Sequence, residues 1–73
     1  MDDNYTELAN AIILQAVKDY RGALKILKKR PRSETAKISK QEVERFFRSD
    51  WYLQLTSLDP EMLMQKLKEE VSA

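Results

Sequence analysis

The sequence predicts an all-α fold, a small three-helix bundle with a short additional helix in the connection before the last helix. Three observations support this prediction. Apolar residues recur at steps of three and four, helix-capping residues and prolines mark helix starts, and neither alternating strand patterns nor Asn-Gly turns occur. The 73 residues are predicted to form one domain, 1–73, in a size range where a single core is small and a second subunit often adds burial.

The first helix is predicted from about residue 5 to residue 29. Asn4 followed by Glu7 resembles a capping box, with Asn in the capping position. Gly22 lies inside this helix, where glycine costs about 1 kcal/mol relative to alanine. We therefore expect either close packing of another helix at Gly22 or a local bend. The apolar, core-facing stripe of the helix comprises Tyr5, Leu8, Ala9, Ile12, Ala16, Tyr20, Ala23, Leu24 and Leu27.

A turn separates the first helix from the second. Pro31 disfavours the helical conformation for the residue before it, and Ser33 is a good capping residue. The second helix then spans about 34–49, or it starts near Lys40, because residues 39–42 form a better capping box. Its core-facing side carries Val43, Phe46 and Phe47.

The last two helices also begin at capping residues. Asp50 is predicted to cap a short helix of about 51–56. Further along, the capping residue Asp59 precedes Pro60, which fits the first position of a helix, and an acid follows in the positive first turn. This last helix should span about 60–71. Its apolar side carries Leu63, Met64, Leu67 and Val71.

Composition argues against most catalytic chemistry. The chain has no cysteine and no histidine, so it lacks Ser-His and Cys-His pairs, thiolate metal sites and the usual imidazole base. Its single glycine cannot form a glycine-rich phosphate loop. Two carboxylate pairs, Glu42 with Glu44 and Glu69 with Glu70, should diverge on a helix. We therefore expect a non-enzymatic protein, with no catalytic, cofactor-binding or metal-binding residues.

The location of the chain is predicted from its apolar runs and its start. The longest apolar run covers residues 11–14 and is far shorter than a membrane span. The first residues, Met1-Asp2-Asp3, are acidic, which is the reverse of a signal peptide. A cytoplasmic location with no membrane partner is therefore expected.

Four of the six aromatic residues lie within residues 46–52, which read Phe46-Phe47-Arg48-Ser49-Asp50-Trp51-Tyr52. Leu55-Thr56 and Leu58-Asp59 follow this segment. Together with residues 14–21, Leu14-Gln15-Ala16-Val17-Lys18-Asp19-Tyr20-Arg21, it resembles small uncharacterised proteins encoded by prophages and mobile elements of Gram-positive bacteria. The resemblance implies a phage or mobile-element accessory protein, but it carries over no activity and no residue role.

The aromatic segment also supplies the candidate protein-binding residues, Arg48, Trp51 and Tyr52. Adjacent aromatic residues on a helix cannot both be fully buried against the same neighbour. Either both close the core against Tyr20 and Leu67, or one of them lies at an interface, where Trp and Tyr are favoured anchors. The first predicted function is therefore an accessory protein that binds an unidentified host or phage protein, with homodimer formation left open.

The alternative function is nonspecific nucleic-acid binding through a basic helix face. Residues 18–40 contain nine Lys or Arg against two acids, whereas 1–17 and 41–73 each have a net charge of −3. Clustered cations release condensed counterions when they bind phosphates. The same cations could instead form a solvated face at the negative end of their own helix dipole. The candidate nucleic-acid-binding residues are Lys18, Arg21, Lys25, Lys28, Lys29, Arg30 and Arg32.

Overall fold

A computed structural model describes residues 3–72, and it is 86% helical. No strand occurs among these residues. The all-α prediction is therefore confirmed, including the short helix before the last one. The four helices are α1 (Asp3–Lys29), α2 (Glu34–Phe47), α3 (Asp50–Leu55) and α4 (Pro60–Ser72).

Two of the predicted helix starts can be compared directly with α1 and α2. The helical backbone of α1 already includes Asp3, so Asn4 lies inside the helix and the prediction that Asn4 caps it is wrong. For α2 the earlier of the two predicted starts is observed. Its cap is Ser33, whose Oγ accepts a hydrogen bond from the backbone N–H of Ala36 at 3.2 Å.

The cap of α3 is Ser49. The prediction that Asp50 caps this helix is wrong. Ser49 Oγ accepts the backbone N–H of Tyr52 at 3.2 Å, and the same hydroxyl donates to the carbonyl of Phe46 at 2.6 Å. One serine thus satisfies backbone groups of two successive helices. Asp50 becomes the first residue of α3, where its charge favours the positive end of the helix. The prediction placed the cap one residue late because Ser and Asp are equally good caps.

The start of α4 is confirmed as predicted. Asp59 Oδ1 accepts the backbone N–H of Glu61 at 3.0 Å, and the carbonyl of Asp59 accepts the N–H of Leu63 at 3.0 Å. Pro60 is the first helical residue, a position where its missing N–H leaves no hydrogen bond unmade. The polar groups at this end of the helix therefore have local partners.

The core forms around Phe47, where side chains from all four helices meet. The rings of Tyr20 and Tyr52 each meet Phe47 edge to face, with ring centroids 5.7 Å apart in both pairs. This is the arrangement that aromatic quadrupoles favour. Tyr52 therefore closes the core, whereas Trp51 is 54% exposed, so the alternative in which both residues close the core is wrong. The buried core cluster consists of Tyr20, Phe47, Tyr52, Met64 and Leu67.

Part of the predicted core-facing stripe of α1 lies outside the core. Tyr5 is 56% exposed and Leu8 is 59% exposed, so their prediction as core residues is wrong. The physical reason is length. The 27 residues of α1 extend for about 40 Å, whereas the 14 residues of α2 cover only about 21 Å. The molecule is accordingly elongated, with extents of 45 × 22 × 18 Å.

Gly22 has an open environment within this chain. Apart from Gly22, its two neighbours and the adjacent helix backbone, no atom of the described residues lies within 4 Å of the position that a Cβ would occupy at Gly22. The predicted close packing of another helix at this glycine therefore does not occur within the described part of the chain.

We expect Phe47→Ala to lower the free energy of unfolding by about 3–5 kcal/mol, because it leaves a cavity where four helices meet. Urea denaturation followed by far-UV circular dichroism measures this loss. Leu53→Ala is the matched control, since Leu53 is 62% exposed, and its effect should stay within about 0.5 kcal/mol. Equal losses in the two variants would contradict the central role of Phe47.

Candidate functional site

An apolar groove of about 330 Å³ opens between α1, α2 and α3. Ile12 and Ala16 of α1, with Val43 and Phe46 of α2, supply apolar surface, and Trp51 of α3 completes the lining. Acidic and amide side chains of α1 and α2 border the groove. These polar residues are Gln15, Asp19 and Glu42.

Trp51 is the most exposed aromatic residue of this groove. Its side chain is 54% exposed, although one edge packs against Phe46 with ring centroids 5.6 Å apart and an interplanar angle of 79°. Phe46 in turn meets the rings of Phe47 and Tyr52 at 5.7 and 5.8 Å. The tryptophan ring is therefore held by the aromatic core while much of its surface stays open to a partner. Anchored, half-exposed tryptophans of this kind are typical binding hot spots.

The other two candidate protein-binding residues do not present a free side chain. Tyr52 is fully buried, and its hydroxyl donates to the carbonyl of Leu58 at 3.0 Å. Burial raises the pKa of Tyr52 above its ordinary value, with a smaller contribution from the charge of Asp59. This burial contradicts the prediction that Tyr52 contacts a partner. Adjacent helical residues point in different directions, so burying Tyr52 turns Trp51 outward.

Arg48 lies at the C-terminal end of α2 and is joined to α4. Its Nε donates to Glu61 Oε2 at 2.8 Å, and a second guanidinium nitrogen donates to Oε1 at 3.3 Å. Such two-point contacts are the strongest geometry for an arginine and a carboxylate. Arg48 therefore connects two helices of the bundle, although half of its side chain remains exposed.

A polar network centred on Glu44 connects α1 with α2. The hydroxyl of Tyr20 donates to Glu44 Oε2 at 2.6 Å, and Lys40 Nζ lies 2.8 Å from the same oxygen. Burial tends to raise the pKa of Glu44, but the hydrogen bonds from Lys40 and Tyr20 outweigh it and hold that pKa below its ordinary value. Burial, together with the hydrogen bond to Glu44, raises the pKa of Tyr20, so this hydroxyl remains a donor.

The carboxylate pairs considered in the sequence have different surroundings in the structure. Glu44 faces Tyr20, whereas Glu42 lines the groove. Glu69 accepts a hydrogen bond from Gln65, while Glu70 pairs with Arg21 on another helix. Neither pair converges on a common point.

The seven candidate nucleic-acid-binding residues do not form one free face. Arg21 Nε lies 3.1 Å from Glu70 Oε2, and although this N–H is not aligned for a hydrogen bond, a second nitrogen of Arg21 donates to Oε1 at 3.2 Å. Lys28 Nζ donates to the carbonyl of Val71 at 2.9 Å. Both side chains therefore pack against α4. The other five form no ion pair with residues 3–72; they are Lys18, Lys25, Lys29, Arg30 and Arg32.

Two further features can be stated for residues 3–72. None of their helices combines the length and the apolar character that crossing a membrane requires. No three of their acidic side chains come together in a way that could hold a metal ion.

Comparison with known proteins gave no match to any protein-family model, curated protein or solved structure.

We expect Glu44→Gln to flatten the acid dependence of stability. The pKa of Glu44 is lower in the folded chain than its ordinary value of 4.5, so its contribution to stability is present above that value. This contribution is lost as the pH falls through the lower folded pKa. In the wild-type protein the free energy of unfolding from urea denaturation should therefore fall more steeply between about pH 5 and pH 2 than in the variant.

Glu69→Gln is the matched control for this experiment. Glu69 is an exposed glutamate of α4, outside the network of Tyr20, Lys40 and Glu44. The control should keep the wild-type pH dependence. The same pH dependence in Glu44→Gln would show that the Glu44 network does not stabilise the fold.

Proposed function

We propose that this chain is a non-enzymatic accessory protein that acts by binding another protein through the groove beside Trp51. The observation that carries the proposal is the half-exposed tryptophan ring, held edge-on by Phe46 at an apolar groove. Burying this ring in a complex would remove a large apolar area from water, and the ring is already restrained by the core. The resemblance of residues 46–52 to prophage and mobile-element proteins supports the same class of function.

The distribution of exposed apolar side chains also favours protein binding. Among residues 3–72, seven of the nine large exposed apolar residues lie in two segments, 5–14 and 51–62. These segments belong to α1 and to the region of α3 and early α4, and α3 packs against α1. Clustered apolar surface on a small domain commonly marks an interaction site. The seven residues are Tyr5, Leu8, Leu14, Trp51, Leu53, Leu58 and Met62.

We expect Trp51→Ser to reduce the recovery of bound protein at least about tenfold, as for an interface hot spot. Tagged protein would be recovered from a Gram-positive host lysate after nuclease treatment, with an untagged copy of the chain expressed alongside it. Mass spectrometry would identify what is bound. Recovery of a host protein, of a phage protein or of the untagged copy supports protein binding.

Ile38→Ser is the matched control, because Ile38 is 53% exposed, lies outside both apolar segments and does not line the groove. The free energy of unfolding of both variants is measured beside the recovery, so that a loss of folding is not taken for a loss of binding. A folded Trp51→Ser variant that recovers the same proteins as the wild type would overturn the proposed site.

Nucleic-acid binding is the second candidate function, and the five cations without an ion pair favour it. These cations lie between residues 18 and 32, so they are concentrated in the second half of α1 and the turn after it. A basic surface without a base-reading element gives weak, salt-sensitive binding that depends little on sequence.

This second candidate is tested by replacing Lys18, Lys25, Lys29, Arg30 and Arg32 together with glutamine. If these residues bind phosphates, the variant should lose affinity for duplex DNA, and the salt slope should decrease by about 0.9 for each phosphate contact removed. Fluorescence anisotropy over a salt series measures both quantities. Lys66→Gln on α4 removes one positive charge elsewhere, and comparing it with the single variant Lys25→Gln controls for the change in net charge. A wild-type protein that shows no DNA binding at low salt excludes this function.

A further inference from the structure

We propose that the partner in the groove is a second copy of this chain, with the two α1 helices packed antiparallel around a two-fold axis at Gln15. This inference rests on the proposed function, since it names the protein that occupies the same groove. Three features support it: the symmetric spacing of residues along one side of α1, the distribution of charge, and the exposed area.

A single stripe of residues runs along the open side of α1. Its steps alternate between three and four residues, which is the spacing of a coiled-coil seam. Ile12, Gln15 and Asp19 line the groove beside Trp51, and the stripe continues along a second groove between α1 and α2. The two grooves share Asp19, so they form one crease along α1. The whole stripe is Tyr5, Leu8, Ile12, Gln15, Asp19, Gly22 and Ile26.

The stripe is nearly symmetric about its middle residue, Gln15. The sequence distances from Gln15 to matching residues on its two sides differ by at most one residue. In a two-fold pair each contact occurs twice, so a residue before Gln15 meets the residue equally far after it in the other copy. Ile12 then lies opposite Asp19, and Leu8 lies opposite Gly22. At the ends of the stripe, Tyr5 lies opposite Ile26.

This register accounts for Gly22. A glycine inside a long helix weakens the helix, and apart from its neighbours and the adjacent helix backbone nothing in residues 3–72 lies within 4 Å of its missing Cβ. In the proposed dimer the space above Gly22 receives the side chain of Leu8 from the other copy. Leu8 is itself 59% exposed in the single chain, so both residues gain a packing partner.

The polar residues at the middle of the stripe favour one register. Gln15 Nε2 donates to Asp19 Oδ1 at 2.9 Å, so these two side chains already form a polar unit. At the two-fold axis Gln15 of one copy meets Gln15 of the other, and the two amides can donate to and accept from each other. A shifted register would separate this polar pair.

Charge distinguishes an antiparallel pair from a parallel one. Residues 3–17 contain two acids and no Lys or Arg, whereas residues 18–29 contain one acid and five Lys or Arg. Arg21 and Lys28 pack against α4, which leaves Lys18, Lys25 and Lys29 for the other copy. An antiparallel arrangement places the acidic half of each α1 beside the basic half of the other. A parallel arrangement would place basic halves together, where like charges repel.

The exposed area of the single chain matches what a dimer needs. A compact monomeric protein of 8.6 kDa is expected to expose about 4,700 Å², whereas this chain exposes 5449 Å². The excess is close to the roughly 800 Å² that each partner buries in a standard interface. The radius of gyration, 13.1 Å, also exceeds the value of about 11 Å for a compact domain of this length.

The first test uses the absence of cysteine in this chain. Gln15→Cys places one thiol at the proposed two-fold axis, and Leu14→Cys places one on the neighbouring, 66% exposed residue outside the stripe. Both variants are oxidised with a thiol oxidant, and the disulfide-linked dimer is quantified by electrophoresis without reductant. We expect Gln15→Cys to cross-link nearly completely and Leu14→Cys only at the level of random collision. Equal cross-linking of the two variants, or none, would overturn the proposed register.

The second test measures mass by analytical ultracentrifugation at concentrations from about 1 µM to 1 mM. The wild-type chain should reach twice its 8.6 kDa mass. Gly22→Gln should weaken dimerisation at least about a hundredfold by blocking Leu8 of the other copy, as expected for a hot-spot contact. The same variant should not unfold more easily as a monomer, because the site is open and glutamine is the better helix former.

These results also separate this inference from the proposed function. A wild-type chain that remains a monomer at every concentration overturns the dimer, and so does a Gly22→Gln variant that dimerises like the wild type. Neither result bears on the recovery of a different protein that depends on Trp51, which would leave the proposed function standing. If Trp51→Ser leaves recovery unchanged while the wild type dimerises through Gln15, the groove beside Trp51 is not needed for binding and the proposed function is the part that fails.

Discussion

The burial of Phe47 is the interaction on which the rest of this structure depends. Phe47 is the last residue of α2, and its ring meets Tyr20 of α1 and Tyr52 of α3 edge to face. The same cluster includes Met64 and Leu67 of α4. Within residues 3–72, all four helices contribute side chains to this buried cluster. Because aromatic rings carry much of the apolar area of a small core, the relative positions of all four helices follow from this one cluster.

The same cluster determines which surface is available for binding. Ser49 stabilises the two-residue turn between α2 and α3, because its hydroxyl accepts a hydrogen bond from α3 and donates one to α2. That turn brings Tyr52 into the core, and its neighbour Trp51 must then face outward against the edge of Phe46. The exposed tryptophan is therefore a consequence of how the core is closed, and the groove beside it has a rigid wall.

The length of α1 links folding to association. The helix is nearly twice as long as α2, so its apolar stripe extends beyond the part that the bundle can cover. Tyr5 and Leu8 remain exposed, and Gly22 faces open space. A domain of this size has little core to spare, so burying this stripe against another molecule would add stability as well as specificity. In this view, the Glu44 network supports the single chain, while the α1 stripe serves the complex.

Local sequence determined the fold class and most helix boundaries. Pro31 with Ser33, and Asp59 with Pro60, act on the backbone within a few residues, so the helix starts that they mark could be predicted from local sequence. The candidate site was predicted only in part, because Trp51 was recognised together with Tyr52 and Arg48. Tertiary structure decided which of these three side chains is available for binding. It also directed Arg21 and Lys28 towards α4, and it left Tyr5 and Leu8 outside the core. Periodicity identifies an apolar face, but whether that face is covered depends on the lengths and positions of helices distant in the chain.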